Sequence, residues 1–176
     1  VWLSGRYKER RRKMKKHELT DDTITVGGRI LHRIKALKSF SDVEEGDLGG
    51  YVEKEDNLDH SGEAWVSGNA RVYGNARVYG NARVYGNARV SGDARVSGDA
   101  RVSGENDYAA AKGFGRDYRT TTFFRLQDGG IGVRCGCFCG TLEEFREKVK
   151  ETHKESKMGK EYLMLADLME YKFKNA

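Results

Sequence analysis

The chain has 176 residues, 38% of them apolar, with 22 glycines and no proline, which suits one ordinary domain or a few small modules sharing a core. No run approaches the roughly 18 consecutive apolar residues of a membrane-spanning helix, so a soluble protein is predicted. The formal charge of +5, from 32 basic and 27 acidic residues, would ordinarily suggest a polyanionic partner.

That charge is local. Residues 1–13, VWLSGRYKERRRK, hold six basic side chains against Glu9 and carry the whole +5, while from Met14 onward 26 basic residues balance 26 acidic ones. The segment after Met14, KKHELTDDTITV, reads as the start of a folded domain. Purine-rich codons like those of a bacterial ribosome-binding site would encode ERRRK, so residues 1–13 are expected to be a basic leader or tail outside the functional form. A basic arm for nucleic acid is the competing reading. The apolar stretch of an export signal is missing from it.

Residues 14–62 are predicted to form an N-terminal cap. TITV and RILHRIKAL surround Gly27 and Gly28, a hairpin signal. A loop, SFSDVEEGDLGGYVEKEDNLDHSG, follows, in which Leu48, Tyr51, Val52 and Leu58 are expected to cover the lower end of the next module.

Residues 63–104 are an uninterrupted repeat: EAWVSG, NARVYG three times, NARVSG, then DARVSG twice, seven hexads in all. NLDHSG before them reads as a weak eighth, with Leu58 in the Ala slot and His60 in the Val slot. Ala and Val two apart point to one face of a short strand, and Arg with Tyr or Ser to the other. Gly followed by Asn or Asp tolerates positive φ and predicts a corner between strands.

Register separates two architectures. In an antiparallel meander, residues flanking a two-residue loop share a face, so Tyr73 would lie beside Ala76 and the apolar face would flip at every strand. No continuous core could form. A coil that turns the same way at each corner keeps every Ala and Val on a common axis, so a solenoid is predicted. With three hexads per coil the stacking interval is 18 residues, placing Val66 under Val84 and Val84 under Val102.

The hexads, an aliphatic residue every six with a small residue two before it, resemble the hexapeptide-repeat left-handed β-helix family. Three sides and left-handedness are what that resemblance implies. Seven hexads give a height of only roughly 11 Å, too short to stand uncapped.

Residues 105–176 supply the second cap. RTTTFFRLQ and IGVRCGCFCG flank Asp128, Gly129 and Gly130, a second hairpin signal. Thr141 opens TLEEFREKVKETH as a capping box with Glu144, and Leu142, Phe145 and Val149 share one helical face. A last helix over roughly 158–171 offers Tyr162, Leu165 and Met169 at helical spacing. The expected fold is therefore mainly β: a short three-sided β-solenoid of the left-handed β-helix type with an N-terminal β-hairpin cap and a C-terminal ββαα cap.

The strings GDLGGYVE, NLDHSGEAWV, the NARVYG run, YRTTTFF and CGCFCGTLEEF, in this order, resemble a family of small phage and prophage proteins of Gram-positive bacteria. The likeness spans nearly everything from Met14 to Phe173. It implies a bacterial, cytoplasmic setting and a host or phage protein as partner, and it carries over no activity and no catalytic residue.

The chemistry-bearing residues point the same way. Cys135, Cys137 and Cys139 continue Ile131 and Val133 along one strand face and read as core cysteines, since a structural zinc site takes paired ligands from two clusters. No metal or cofactor is predicted. Acyltransferases of the left-handed class resemble longer arrays with a catalytic His and protruding loops, whereas residues 63–104 contain no His and no insertion. A degenerate acyltransferase is the weaker alternative, and no enzymatic activity is expected.

What remains is the outward ladder of Arg71, Arg77, Arg83, Arg89, Arg95 and Arg101, with Tyr73, Tyr79 and Tyr85 as an aromatic layer and Trp65 in an Arg slot beneath Arg83, a cation–π arrangement. Such a surface can dock an acidic protein, grip phosphates, or merely shield a thin core. Its spread over three faces weakens a single-groove nucleic-acid reading. Packing of one face in a trimer is a further expectation. The expected function is a non-enzymatic interaction or scaffold module.

Overall fold

A computed structural model describes residues 15–175; the basic segment 1–13 lies outside them. The repeat folds as a three-sided β-solenoid. Its strands β4 (Trp65–Val66), β5 (Arg71–Val72), β6 (Arg77–Val78), β7 (Arg83–Val84), β8 (Arg89–Val90), β9 (Arg95–Val96) and β10 (Arg101–Val102) are each two residues long. They stack in parallel at an interval of 18 residues, Val66 under Val84 under Val102, Val72 under Val90 and Val78 under Val96. Short strands with sharp corners require backbone that bends at a fixed point. The hexad glycines from Gly62 to Gly98 supply it, at φ between 62° and 70°. Gly104 is extended, at φ −155°, and the coil ends there.

The stack continues below Ala64. Strand β3 (Leu48–Val52), read from sequence as loop, pairs in parallel with β5, and Leu58 bridges Val78. Nine aliphatic side chains thus line the axis, Val52, Leu58, Val66, Val72, Val78, Val84, Val90, Val96 and Val102, none more than 1% exposed. Each contributes about 1.5–3 kcal/mol of burial.

Two expectations for this lower coil are corrected. Leu58 occupies the Val slot, opposite Val78, not the Ala slot. Three residues separate Leu58 from Gly62 where Tyr79 alone separates Val78 from Gly80, so this corner carries an insertion that takes His60 out of the wall. Of the residues expected to cover the lower end, Val52 and Leu58 are buried, but Leu48 is 55% exposed and Tyr51 points outward in register with Arg71.

Each side is closed differently at the bottom. On the first side β3 is the closing rung and extends through β2 (Arg29–Ala36) to β1 (His17–Val26), an antiparallel hairpin turned by Gly27 and Gly28. On the second, the Asn57 amide donates to the carbonyls of Gly74 and Ala76, at 3.2 and 2.8 Å. On the third, the buried Lys16 ammonium donates to Ala64 O at 2.7 Å.

The top is covered by a sheet in the order β11 (Tyr108–Phe114), β12 (Arg119–Arg125), β13 (Ile131–Cys135), β14 (Phe138–Thr141). This cap has four strands where two were expected. Strand β12 lies over the coil: Thr122 Oγ1 accepts from Arg95 N–H at 2.9 Å, Leu126 bridges Ala100, and Phe124 joins the solenoid core. Helices α1 (Leu142–His153) and α2 (Lys157–Lys174) pack on the sheet through Leu142, Phe145, Val149, Tyr162, Leu165, Met169 and Phe173. The Thr141 and Glu144 capping box forms as predicted.

The cysteines do not share a face. Cys135 pairs with Phe138 across a turn in which Gly136 has φ 58°, so the chain reverses between the first cysteine and the third. Cys135 is half-buried, with Thr121 Oγ1 at 3.2 Å, while Cys137 and Cys139 are exposed. Among the described residues, no helix is long and apolar enough to cross a membrane.

Candidate functional site

Both ends of the solenoid are occupied by its own caps, which leaves the three outer walls. The repeat places the arginines on them in vertical pairs, Arg71 under Arg89, Arg77 under Arg95 and Arg83 under Arg101. Adjacent rungs lie about 4.8 Å apart. Like charges at that spacing repel unless solvent, an acid or an anion intervenes.

The wall of β4, β7 and β10 answers that repulsion internally. Arg83 pairs with Asp42, held at the tip of a tight turn between Phe40 and Val43, and Arg101 donates to Gln127 Oε1 at 2.8 Å and to the carbonyls of Asn81 and Ala100. Trp65 lies under Arg83 in register but does not take its guanidinium. Its ring meets the edge of Phe40 at 5.5 Å, and it is 4% exposed. The expected cation–π contact is replaced because Asp42 offers Arg83 a full charge. A groove of about 500 Å³ runs along this wall between Asp42, Leu48, Trp65, Arg83, Tyr85 and Arg101.

On the wall of β3, β5 and β8, Arg71 is half-buried and Arg89 exposed. Arg71 and Arg89 rise above Tyr51, whose ring receives Arg33 at 5.5 Å. Glu53 closes the adjacent corner. The Gly74 N–H at 2.6 Å, and then Arg29, hold its carboxyl below the usual range.

The wall of β6 and β9 carries Arg77 and Arg95, both exposed, with a recess at each level. The lower, about 280 Å³, is lined by Lys54, Asp56, Asn75 and Arg77. The upper, about 430 Å³, lies where the wall meets the cap, between Asp93, Arg95, Lys112, Tyr118, Arg119 and Thr120. Lys112 reaches Asp93 at 2.8 Å and holds its carboxyl below the ordinary value, helped by Asn75 at 3.1 Å. Arg119 pairs with Asp117 at 2.6 Å.

The tyrosine layer is split among these surroundings. Tyr73 is half-buried, Tyr79 lies under the Arg134 guanidinium at 5.7 Å, and Tyr85 is 40% exposed in the 500 Å³ groove. Sequence reasoning singled out the ladder but missed Lys112, Tyr118 and Arg119, which only the docking of the cap brings beside Arg95. The signal available was the turn GFGRDYR, with two aromatics and two arginines around glycines.

Among the described residues, no three His, Cys, Asp or Glu side chains gather where they could hold a metal ion. The one close histidine pair, His17 and His60, stacks at 4.3 Å in the lower cap. A family model described as the YdcK Beta solenoid repeat matches residues 64–80, 76–92 and 82–96. No curated protein matches the chain. Residues 64–96 are thus a β-solenoid repeat region, similar to that family over the central hexads.

Proposed function

We propose that this protein is a non-enzymatic interaction module whose arginine walls dock an acidic surface of a partner protein. The observation that carries this reading is the vertical pairing of Arg71 with Arg89 and of Arg77 with Arg95; among the described residues none of the four forms an ion pair. Stacked like charges cost free energy in the free protein, and a partner carboxylate between them relieves it. The third pair supports the reading by contrast, since Asp42 there does for Arg83 what a partner would do elsewhere. The partner we propose, in keeping with the resemblance to phage and prophage proteins read from the sequence, is a host or phage protein of a bacterial cytoplasm that the module modulates or scaffolds.

The test is affinity capture from bacterial lysate on the immobilised full chain, beside a variant with Arg71, Arg77, Arg89 and Arg95 changed to Ser. A saturable partner retained by the natural chain and lost by the variant is the expected result. A partner retained equally by both would sink the reading. Calorimetry with acetyl-CoA checks the acyltransferase alternative, and no heat of binding is expected.

A further inference from the structure

We propose that the docking face is the wall of β6 and β9 together with the turn of the cap above it, and that its ligand is a protein segment bearing spaced carboxylates. This rests on the arginine-wall reading and names the side and the contact residues. Three observations select this wall. Arg77 and Arg95 are exposed on it, whereas Arg83 and Arg101 on one neighbouring wall are already satisfied by Asp42, Gln127 and backbone carbonyls. A recess accompanies each arginine, so a carboxylate can approach from the side. On the third wall Arg89 is exposed, but Arg71 beneath it is half-buried.

Cations also continue beyond the ladder. Lys54 lies beside Arg77 below, and Lys112 and Arg119, paired with Asp93 and Asp117, lie beside Arg95 above, so basic groups follow the wall along the solenoid axis. Asp56 and Asp93 are interspersed among them. A phosphate backbone, with a charge on every nucleotide, meets those acids as repulsion. A protein segment whose carboxylates are spaced can match the cations and avoid them.

Tyr118 strengthens the choice. Its φ is 49°, in the left-handed region that a bulky side chain enters only at a cost, and its side chain is 70% exposed at the rim of the upper recess. The fold gains little burial from this residue. An exposed aromatic beside arginine is the kind of group that anchors an interface.

The test titrates a synthetic repeat peptide of Glu-Gly-Ser units, whose carboxylates are spaced, into the full chain at physiological ionic strength and compares Arg77→Glu/Arg95→Glu with Arg71→Glu/Arg89→Glu. The two variants have the same net charge and the same segment 1–13. The first is expected to weaken binding about tenfold or more and the second less than about threefold. The reverse order, or equal loss in both, overturns the assignment to this wall and leaves the arginine-wall reading standing. No loss in either overturns both. Tyr118→Gly relaxes the backbone, so its Tm is expected to hold or rise while affinity falls about threefold; unchanged affinity would overturn the role of the ring. Oligothymidylate serves as the second probe, and tighter binding of it than of the repeat peptide, lost in Arg77→Glu/Arg95→Glu, would overturn the carboxylate assignment.

Discussion

The Lys16 ammonium stands fully buried beneath the third side of the solenoid and donates to the Ala64 carbonyl at 2.7 Å. Among the described residues no strand pairs below β4, and a side chain takes the place of a backbone donor. Lys16→Met keeps the stem and removes the donor, and it is expected to cost about 1–2 kcal/mol in urea denaturation, the penalty of an unsatisfied buried carbonyl. Burial also pulls the Lys16 pKa from 10.5 down to about 8. The unfolded chain then holds more protons above pH 8, so stability contributed by this group rises as pH climbs past that point. The methionine variant should lack this rise.

His17 gives a pH dependence of the same sign at the acid side. It is 0% exposed, stacked on His60, and among the described residues its ring nitrogens meet no partner. Desolvation, then the neighbouring His60 and Lys16, push its pKa from 6.5 to about 3. Between those values the unfolded state binds the extra proton, so stability falls as pH drops from 6.5 toward 3. Thermal melts between neutral pH and the onset of carboxylate titration should show the natural chain losing Tm faster than His17→Phe. Parallel curves would contradict this.

Gly50 and Gly104 separate packing from conformation. A Cβ on Gly50 would lie 2.6 Å from Ala70 O and 2.8 Å from Val66 Cγ1, inside the coil wall. Gly50→Ala is expected to cost about 1–3 kcal/mol by overpacking. Gly104 is extended, with nothing near its Cβ position, and Gly104→Ala should be neutral or gain a few tenths of a kcal/mol. Equal midpoints for the two variants in urea would contradict the placement of β3.

The cysteine hairpin predicts unequal reactivity. Cys137 and Cys139 are exposed, and both should react with a thiol reagent in the native state. Cys135, half-buried between Thr121 and Tyr162, should react slowly until denaturant is added. Three equally slow thiols would restore the single-face reading.

The repeat was legible because its chemistry is periodic: Ala and Val two apart, with Gly at the corner, admit one register. The lower coil was not, since Gly50 stands where Ala would mark a strand, and glycine in sequence reads as a turn. The insertion after Leu58 hid its slot for a related reason, by shifting His60 against the six-residue count. Strand β11, YAAAKGF, has no β-branched residue and forms through pairing with β12. In the cysteine segment the alternation continued through a turn that only the positive φ of Gly136 reveals. All ten ladder residues named from sequence sit on or beside the outer walls, but which wall keeps its arginines open depends on Asp42, Gln127, Lys112 and Tyr118, brought there by the caps.

The most direct test of the arginine-wall account is a comparison of the full chain with a chain beginning at Met14, each titrated with poly-L-glutamate at physiological ionic strength. Residues 1–13 carry the whole net charge, and the walls carry none of it away when that segment is removed. Saturable binding retained by the shorter chain is the predicted result. Binding lost with residues 1–13 would assign the interaction to the basic segment and contradict the account.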